Sequence, residues 1–357
     1  MALLPPFIRT ARTHLIHVRP APGLPATPTA DAAHAADAAD AADDDVLLDA
    51  PDDRLGRALV AAAQGEHGPA AALLAATRTH ADWEMRDRYA RRLAAFARSR
   101  DEWHENWRTA APQDPDALLI GAQLAVERAW PSPARAELLR EVGPLITAAA
   151  HGDVRDPVPW RIALDHARGS NAGHTYFGEL WEAAVRRAPH HYGCHVAALR
   201  YLAASRRGGS HLACFDFAER AAQDAPADSL VQALPARATF SCLTDGRARE
   251  IPRVRLDAAA DRAIALSARF PAADPWPAEV RNKLMYVLVR LERWTDAEEQ
   301  LRLIGPYATS FPWDRFADDP LARFLEIRAE IRAEVRRRTA SGHPRSEHGG
   351  RTRSRDH

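Results

Sequence analysis

Apolar residues recur every three to four positions through most of the stretch between residues 53 and 337. An α-helix completes one turn about every 3.6 residues, so this spacing places the apolar residues on one face of a helix. Alternation of apolar and polar residues over the length of a strand is scarce, so the sequence predicts an all-α fold. Three runs show the helical spacing best: Val280, Leu284, Val287, Leu288 and Leu291; Ala297, Leu301 and Ile304; and Leu321, Phe324, Ile331 and Val335.

Two short segments have the features of a turn between paired helices. In "RLERWTDAEEQL" (290–301), Trp294 lies in the turn and Ala297 stands where two helices would cross closely. In "AAAQGEHGPAAALL" (61–74), Gly65 lies in the turn and Ala70 at the crossing. Both segments resemble the helix hairpin of tetratricopeptide repeats. This resemblance implies antiparallel hairpins that stack into an α-solenoid.

Proline recurs at the joints between the predicted hairpins. Pro189 and Pro226 are 37 residues apart, and Pro112 precedes Pro189 by 77 residues, about two such periods. Proline ends one helix and favours the first turn of the next, so the spacing suits helix pairs. The centre of the chain (160–202) also resembles bacterial proteins of unknown function with degenerate repeats, a likeness that implies no activity.

The two ends of the chain differ in composition from the helical part. Residues 1–52 become Pro-rich and then Ala/Asp-rich, and nine acidic residues fall between Asp31 and Asp53 with no Lys or Arg among them. Residues 338–357 are rich in Gly and Arg. Few side chains in either end can form a core, so we expect both to be largely disordered. Between them, "HGDVRDPVPW" (151–160) is the favoured boundary between two helical halves, 53–150 and 151–337, but the sequence does not determine whether the repeats form one solenoid or two lobes.

Charge, hydropathy and cysteine content argue against a nucleic-acid-binding, membrane or secreted protein. Lys plus Arg equals Asp plus Glu at 48 each, so no overall field favours nucleic acid or anionic membranes. No apolar run is long enough to span a membrane, and Pro5, Pro6 and Arg9 interrupt any signal-peptide core. The three cysteines are widely spaced and form no disulfide framework, which fits a reducing compartment. We therefore expect a soluble, cytoplasmic protein.

The segment "RRAPHHYGCHVAALRYL" (186–202) contains the strongest candidate for chemistry. Its potential metal ligands are His190, His191, Cys194 and His195. Two histidines four residues apart on a helix can bind zinc, but the zinc-protease pattern needs Glu where this chain has Tyr192. The alternative is a joint in which Pro189 ends one helix and the next begins near Tyr192. The sequence favours the joint and therefore no metal, and a metal-binding protein or metal-dependent enzyme stays as the alternative.

Glycine and tryptophan positions favour structural roles. "ARGSNAGH" (167–174) lacks the Lys and the spacing of a phosphate-binding loop, so we predict a turn in which Gly169 and Gly173 supply unusual backbone angles. In "RRGGSH" (206–211) we predict the end of one helix and a second helix capped by Ser210. Trp103 and Trp107 lie one helical turn apart, which is typical of core packing.

These features predict a protein- or peptide-binding helical scaffold without catalytic activity or cofactor, because stacked helix pairs leave one concave face free. We expect arginines on that face to bind carboxylates of the partner through paired hydrogen bonds. A second alternative is association with nucleic acid through the Arg-rich tail, although a solvated tail is the favoured interpretation. The sequence does not determine the partner or the oligomeric state. The candidate partner-binding residues are Arg161, Arg168, Arg186, Arg187 and Arg200.

Overall fold

The computed structural model describes residues 46–204 and 210–341, and most of them lie in α-helices. The prediction of a helical fold is confirmed. The helices are α1 (Asp53–Ala63), α2 (Gly68–Thr79), α3 (Trp83–Ser99), α4 (Glu102–Ala110), α5 (Pro115–Ala129), α6 (Arg135–Arg140), α7 (Gly143–His151), α8 (Val158–Gly169), α9 (His174–Arg187), α10 (Tyr192–Ala204), α11 (His211–Asp224), α12 (Leu234–Thr244), α13 (Arg253–Ser267), α14 (Ala278–Arg290), α15 (Trp294–Ile304), α16 (Ser310–Trp313) and α17 (Pro320–Ser341). Short 3₁₀ turns precede and follow α12, at Leu230–Ala233 and Ala248–Glu250, and the strands are β1 (Leu47–Leu48) and β2 (Tyr307–Ala308).

Several helix boundaries follow from local chemistry. The Asp52 carboxylate accepts hydrogen bonds from the backbone at the start of α1, and Asp114 does the same for α5, whose first residue is Pro115. Ser210 accepts from the backbone of α11, so the predicted cap is confirmed. Gly65 has φ +87 in the turn between α1 and α2, a left-handed angle that favours glycine.

The predicted joint at Pro189 is also confirmed. Helix α9 ends at Arg187, and α10 begins at Tyr192. The apolar face predicted between Val280 and Leu291 is buried along α14. Trp103 and Trp107 are both almost fully buried, as expected for core residues.

Six helices form a connected inner set. Helix α3 contacts α5 and α10, α8 contacts α5 and α10, and α12 contacts α10 and α14. Each of these contacts joins helices that are not consecutive in the chain. Helices α2, α4, α9, α11 and α13 each pack on the inner helix next to them in sequence. We call α3, α5, α8, α10, α12 and α14 the inner helices.

The first described residues pack against the last helices. β1 pairs with β2 in parallel, and the Asp49 carboxylate accepts hydrogen bonds from the Ser310 backbone N–H at 3.0 Å and hydroxyl at 2.6 Å. Arg88 of α3 donates to the Trp276 carbonyl at 3.1 Å, next to α14. The end of the segment predicted to be largely disordered is therefore ordered from residue 46. Residues 1–45 lie outside the described residues.

Buried apolar residues form two clusters that meet at α10. The first runs from Ala58 to Tyr201 and the second from Val196 to Ile331. The break predicted at 151–160 separates α7 from α8, but both helices contribute to the first cluster, through Ile146 and Ile162. Proline and glycine there separate two helices that share this cluster.

Two expectations about the ends and turns need correction. Helix α17 continues to Ser341, past the predicted start of the tail at 338, and 342–357 lie outside the described residues. Gly169 is helical, and a Cβ there would lie 2.4 Å from Leu139 Cδ1 and 2.9 Å from Trp130, so this glycine serves close packing. Gly173 has φ −70, an ordinary angle, and the left-handed residue of the turn is Asn171 at φ +56.

A helix that spans a membrane needs about 20 consecutive, mostly apolar residues. Among the described residues, every helix is too short or too polar to cross a membrane.

Candidate functional site

A pocket of about 550 Å³ opens among the inner helices α3, α5, α8 and α10. Six arginines and only two acidic side chains line it. Arginine excess of this kind produces a positive local potential that favours bound anions. The charged lining residues are Arg91, Arg92, Arg98, Arg161, Arg168, Arg200, Glu127 and Asp165, and we call this site the central arginine pocket.

Helical periodicity brings the arginines to one place. On α8, Arg161, Asp165 and Arg168 follow at i, i+4 and i+7, so they share one face. On α3, Arg91 and Arg98 are seven residues apart and likewise share a face. The pocket forms because α3 and α8 both contact α10, which contributes Arg200.

Arg161 has a structural role at the bottom of this site. Its side chain is 1% exposed, its Nε donates to Asp87 Oδ1 at 2.8 Å, and its Nη1 donates to Gln123 Oε1 at 2.6 Å. Arg91 reaches the other oxygen of Asp87 at 3.1 Å. Although burial raises the pKa of Asp87, these two arginines hold it well below its usual value. Asp87 is therefore ionised and joins α3 to α8.

Arg168 is only partly compensated. Its Nη2 lies 3.5 Å from Asp165 Oδ1, and its guanidinium lies 4.1 Å above the ring of Trp130. Its buried Nε has no hydrogen-bond partner within the described residues. Burial raises the pKa of Asp165, but Arg200, Arg161 and Arg168 together lower it below the usual value. A single carboxylate thus serves several guanidinium groups.

Arg200 is the least compensated arginine of the pocket. Within residues 46–204 and 210–341 it forms no ion pair, and the same holds for the exposed Arg98. Burial lowers the pKa of Arg200, and the nearby charge of Arg237 lowers it further, against the opposing effect of Asp165. Arg237 itself is paired with Glu279 at 3.0 Å. Asp165 thus offsets the charge of Arg200 only in part, and an anion bound beside Arg200 would be attracted to it.

The histidine cluster at the start of α10 takes part in hydrogen bonds and packing between helices. His191 Nε2 is 3.3 Å from the Trp83 carbonyl, and the Cys194 backbone N–H donates to His191 Nδ1 at 3.3 Å. Both ring nitrogens of His191 are thus engaged, as the neutral form with its proton on Nε2 allows. Burial lowers the pKa of His191 to about 4, so the ring is neutral at pH 7. His195 packs edge-on against Trp181, with ring centroids 5.0 Å apart.

Gly193 explains why this joint can approach α3. A Cβ at position 193 would lie 2.4 Å from Asp87 Oδ2 and 3.0 Å from the His191 ring. Glycine therefore lets the start of α10 pack directly against the carboxylate that holds Arg91 and Arg161. The glycine was visible in the sequence, but its neighbour lies more than a hundred residues earlier in the chain.

The cluster does not provide the ligand set that the metal hypothesis requires. His191 and His195 are almost fully buried and lie in the hydrogen bonds and ring contacts just described, and His190 is half-buried in the turn. Burial raises the pKa of the Cys194 thiol well above its usual value, which disfavours the thiolate that binds metals. Across the described part of the chain, no group of three or more His, Cys, Asp or Glu residues is placed to hold a metal ion.

The structure separates the five arginines proposed from the sequence. Arg161, Arg168 and Arg200 line the central arginine pocket. Arg186 and Arg187 lie on α9 instead, where Arg186 is exposed and Arg187 lies 4.3 Å above the ring of Trp160. The three lining arginines of α3 were missed: Arg91, Arg92 and Arg98. Their signal was the density of arginine in "RDRYARRLAAFARSR" (86–100), which the sequence pattern alone does not direct to one site.

The arrangement can bind and orient anionic groups, since guanidinium groups donate paired hydrogen bonds to carboxylates and phosphates. Comparisons with known proteins find no matching family model, no similar curated protein and no similar solved structure. What can be said of function therefore depends on the chemistry of this pocket.

Proposed function

We propose that this chain is a helical-repeat scaffold that binds an acidic segment of a partner protein in the central arginine pocket. The observation that carries the proposal is Arg200, a largely buried arginine that has no ion pair within the described residues and is repelled by Arg237. A buried charge that is only partly compensated is costly, and a bound carboxylate would offset that cost. Arg168 supports the same interpretation, because its buried Nε lacks a hydrogen-bond acceptor.

The packing of the helices supports a repeat architecture in this proposal. Contacts between next-but-one helices, such as α3 with α5 and α12 with α14, are typical of stacked hairpins, in which one helix of each pair lines an inner face. The hairpin turn predicted around Trp294 lies between two closely packed helices, α14 and α15. We therefore retain the tetratricopeptide-like array as the proposed arrangement.

An acidic peptide suits the pocket better than a nucleobase does. Trp130 is the aromatic side chain of the lining, and guanidinium groups cover it: Arg168 at 4.1 Å and Arg135 at 4.9 Å. Single-stranded nucleic acids gain much of their binding from bases stacked on open aromatic faces. A pocket of about 550 Å³ has the size of sites that hold a ligand of a few residues.

Fluorescence anisotropy with the full chain tests the proposal. The probe is a labelled ten-residue peptide of alternating Asp and Ser, and the control peptide has Asn in place of Asp. We expect the acidic peptide alone to bind, and we expect Arg168→Gln/Arg200→Gln to weaken it by about tenfold or more, because each arginine loses a charge-assisted hydrogen bond. The matched control is Arg302→Gln, an exposed arginine of α15 paired with Glu299 at 2.6 Å, which should bind normally.

Three results would contradict this function. The first is that the acidic peptide does not bind, and the second is that it binds the double variant as tightly as the wild-type chain. The third is that a labelled oligonucleotide of the same length binds more tightly than the peptide and depends on Arg168 and Arg200. That result would indicate a nucleic acid as the partner instead of a protein. A thermal unfolding curve of each variant checks that the fold is intact.

A further inference from the structure

An acidic residue of the chain's own N-terminal region already contacts the central arginine pocket. Asp49 Oδ2 lies 3.2 Å from Arg92 Nη2, and Arg92 lines the pocket. Hydrogen bonds from Ser310 and the pairing of β1 with β2 fix Asp49 in this position. The described chain therefore begins next to the pocket, at residue 46.

The sequence immediately before this point is complementary in charge to the pocket. Residues 31–45, "DAAHAADAADAADDD", contain six aspartates and no Lys or Arg. Alanine fills most of the remaining positions, so few bulky side chains would obstruct a pocket of about 550 Å³. The lining offers six arginines against two acidic side chains, one of which is Asp165.

The segment is attached close enough to the lining for its aspartates to reach the arginines. β1 holds residues 47 and 48 in place, so the tether starts at Val46, which is three residues and at most about 10 Å from Asp49. The lining of α3 from Arg91 to Arg98 spans about 10 Å along the helix axis. The fifteen residues of segment 31–45 can extend over about 50 Å, which is enough chain to bring several of its aspartates to the lining.

We propose that the acidic segment 31–45 binds in the central arginine pocket of its own chain and competes there with the acidic segment of a partner. The inference rests on the proposed function and adds its regulation. A segment tethered this closely has an effective concentration on the order of millimolar, so even a weak intrinsic affinity keeps the pocket mostly occupied. A partner then binds only to the fraction of molecules whose pocket is open, and its apparent affinity falls by that fraction.

Full-length variants of the segment test this inference, with the same labelled Asp/Ser peptide as the probe. The neutral variant replaces each segment aspartate by Asn, and the matched control replaces each by Glu, which preserves the charge. We expect the neutral variant to bind the probe about tenfold more tightly than the wild-type chain and the Glu control, because the competitor is lost. An unlabelled peptide of residues 31–45 should displace the probe from the neutral variant. The substituted positions are Asp31, Asp37, Asp40, Asp43, Asp44 and Asp45.

The outcomes separate this inference from the proposed function. Equal affinity of all three chains, with binding still dependent on Arg168 and Arg200, would refute competition by the segment and leave the proposed function intact. Failure of the probe to bind even the neutral variant would refute the proposed function and the regulation with it. An advantage of the neutral variant that appears only at high protein concentration would indicate exchange of segments between copies, and would overturn the intramolecular form.

Discussion

Arg86 joins several of the helices around the central arginine pocket, and its substitution tests how much this buried joint stabilises the fold. Its side chain is 1% exposed, and its Nε and Nη2 each lie 2.6 Å from a buried carboxylate oxygen, of Asp156 and Asp116 respectively. Its Nη1 donates to the Leu74 carbonyl at 2.9 Å. One guanidinium therefore links α3 to α2, to α5 and to the connector before α8.

Arg86→Met should lower the free energy of unfolding by about 3–5 kcal/mol, the cost of removing one member of a buried ion pair. Methionine replaces most of the aliphatic volume, so the loss arises from the stranded carboxylates more than from a cavity. Asp116 keeps a contact with Arg78 at 3.2 Å, whereas Asp156 keeps a hydrogen bond from the Val158 N–H at 2.8 Å. For a chain of this size the melting temperature should fall by about 4–7 °C.

Urea unfolding of the full chain, followed by far-ultraviolet circular dichroism, measures this loss. The control is Arg302→Met, which breaks an exposed pair that solvent screens, and it should leave the urea midpoint nearly unchanged. Burial already raises the pKa of Asp156, and loss of Arg86 should raise it further. The folded variant then takes up a proton more readily than the unfolded one, so the penalty should shrink as the pH falls.

Two results would refute this reasoning about buried pairs. Equal losses in Arg86→Met and Arg302→Met would show that burial adds nothing to the cost of an unpaired carboxylate. A penalty that grows toward acid pH would show that the stranded carboxylates do not gain protons in the folded state.

Two further predictions concern packing and pH. Gly169→Ala should lower the free energy of unfolding by about 1–3 kcal/mol, because its Cβ would lie 2.4 Å from Leu139 Cδ1. Gly178→Ala lies in open space on α9 and should raise the free energy of unfolding by up to about 1 kcal/mol. Thermal melts of both variants check this. Burial raises the pKa of Glu84 from 4.5 to about 7, despite a hydrogen bond from the Tyr192 N–H. Between these two pH values the folded chain keeps a proton that the unfolded chain has lost, so the free energy of unfolding falls as the pH rises. Glu84→Gln removes this titration and should flatten that fall, measured as urea midpoints at about pH 5 and about pH 8, and an unchanged slope would show that Glu84 is not responsible.

Local chemistry determined most helix boundaries from the sequence. The joint at Pro189, the cap at Ser210 and the turn at Gly65 depend on residues within one or two turns of the backbone, and all three were predictable. The buried face of α14 was predictable for the same reason, since helical periodicity alone sets it. Gly169 was misinterpreted because its constraint comes from Leu139 and Trp130, on other elements.

The pocket was decided by tertiary structure. The sequence identified Arg161, Arg168 and Arg200 as candidates with two arginines of α9, but it did not show which of them converge. Convergence depends on which helices become neighbours, and α3 meets α10 across about a hundred residues of chain. Sequence alone thus fixed the helices, their caps and the charges that they carry, because these depend on near neighbours. Only packing decided which charges are paired, which are buried and which, like Arg200, have no ion pair within the described residues.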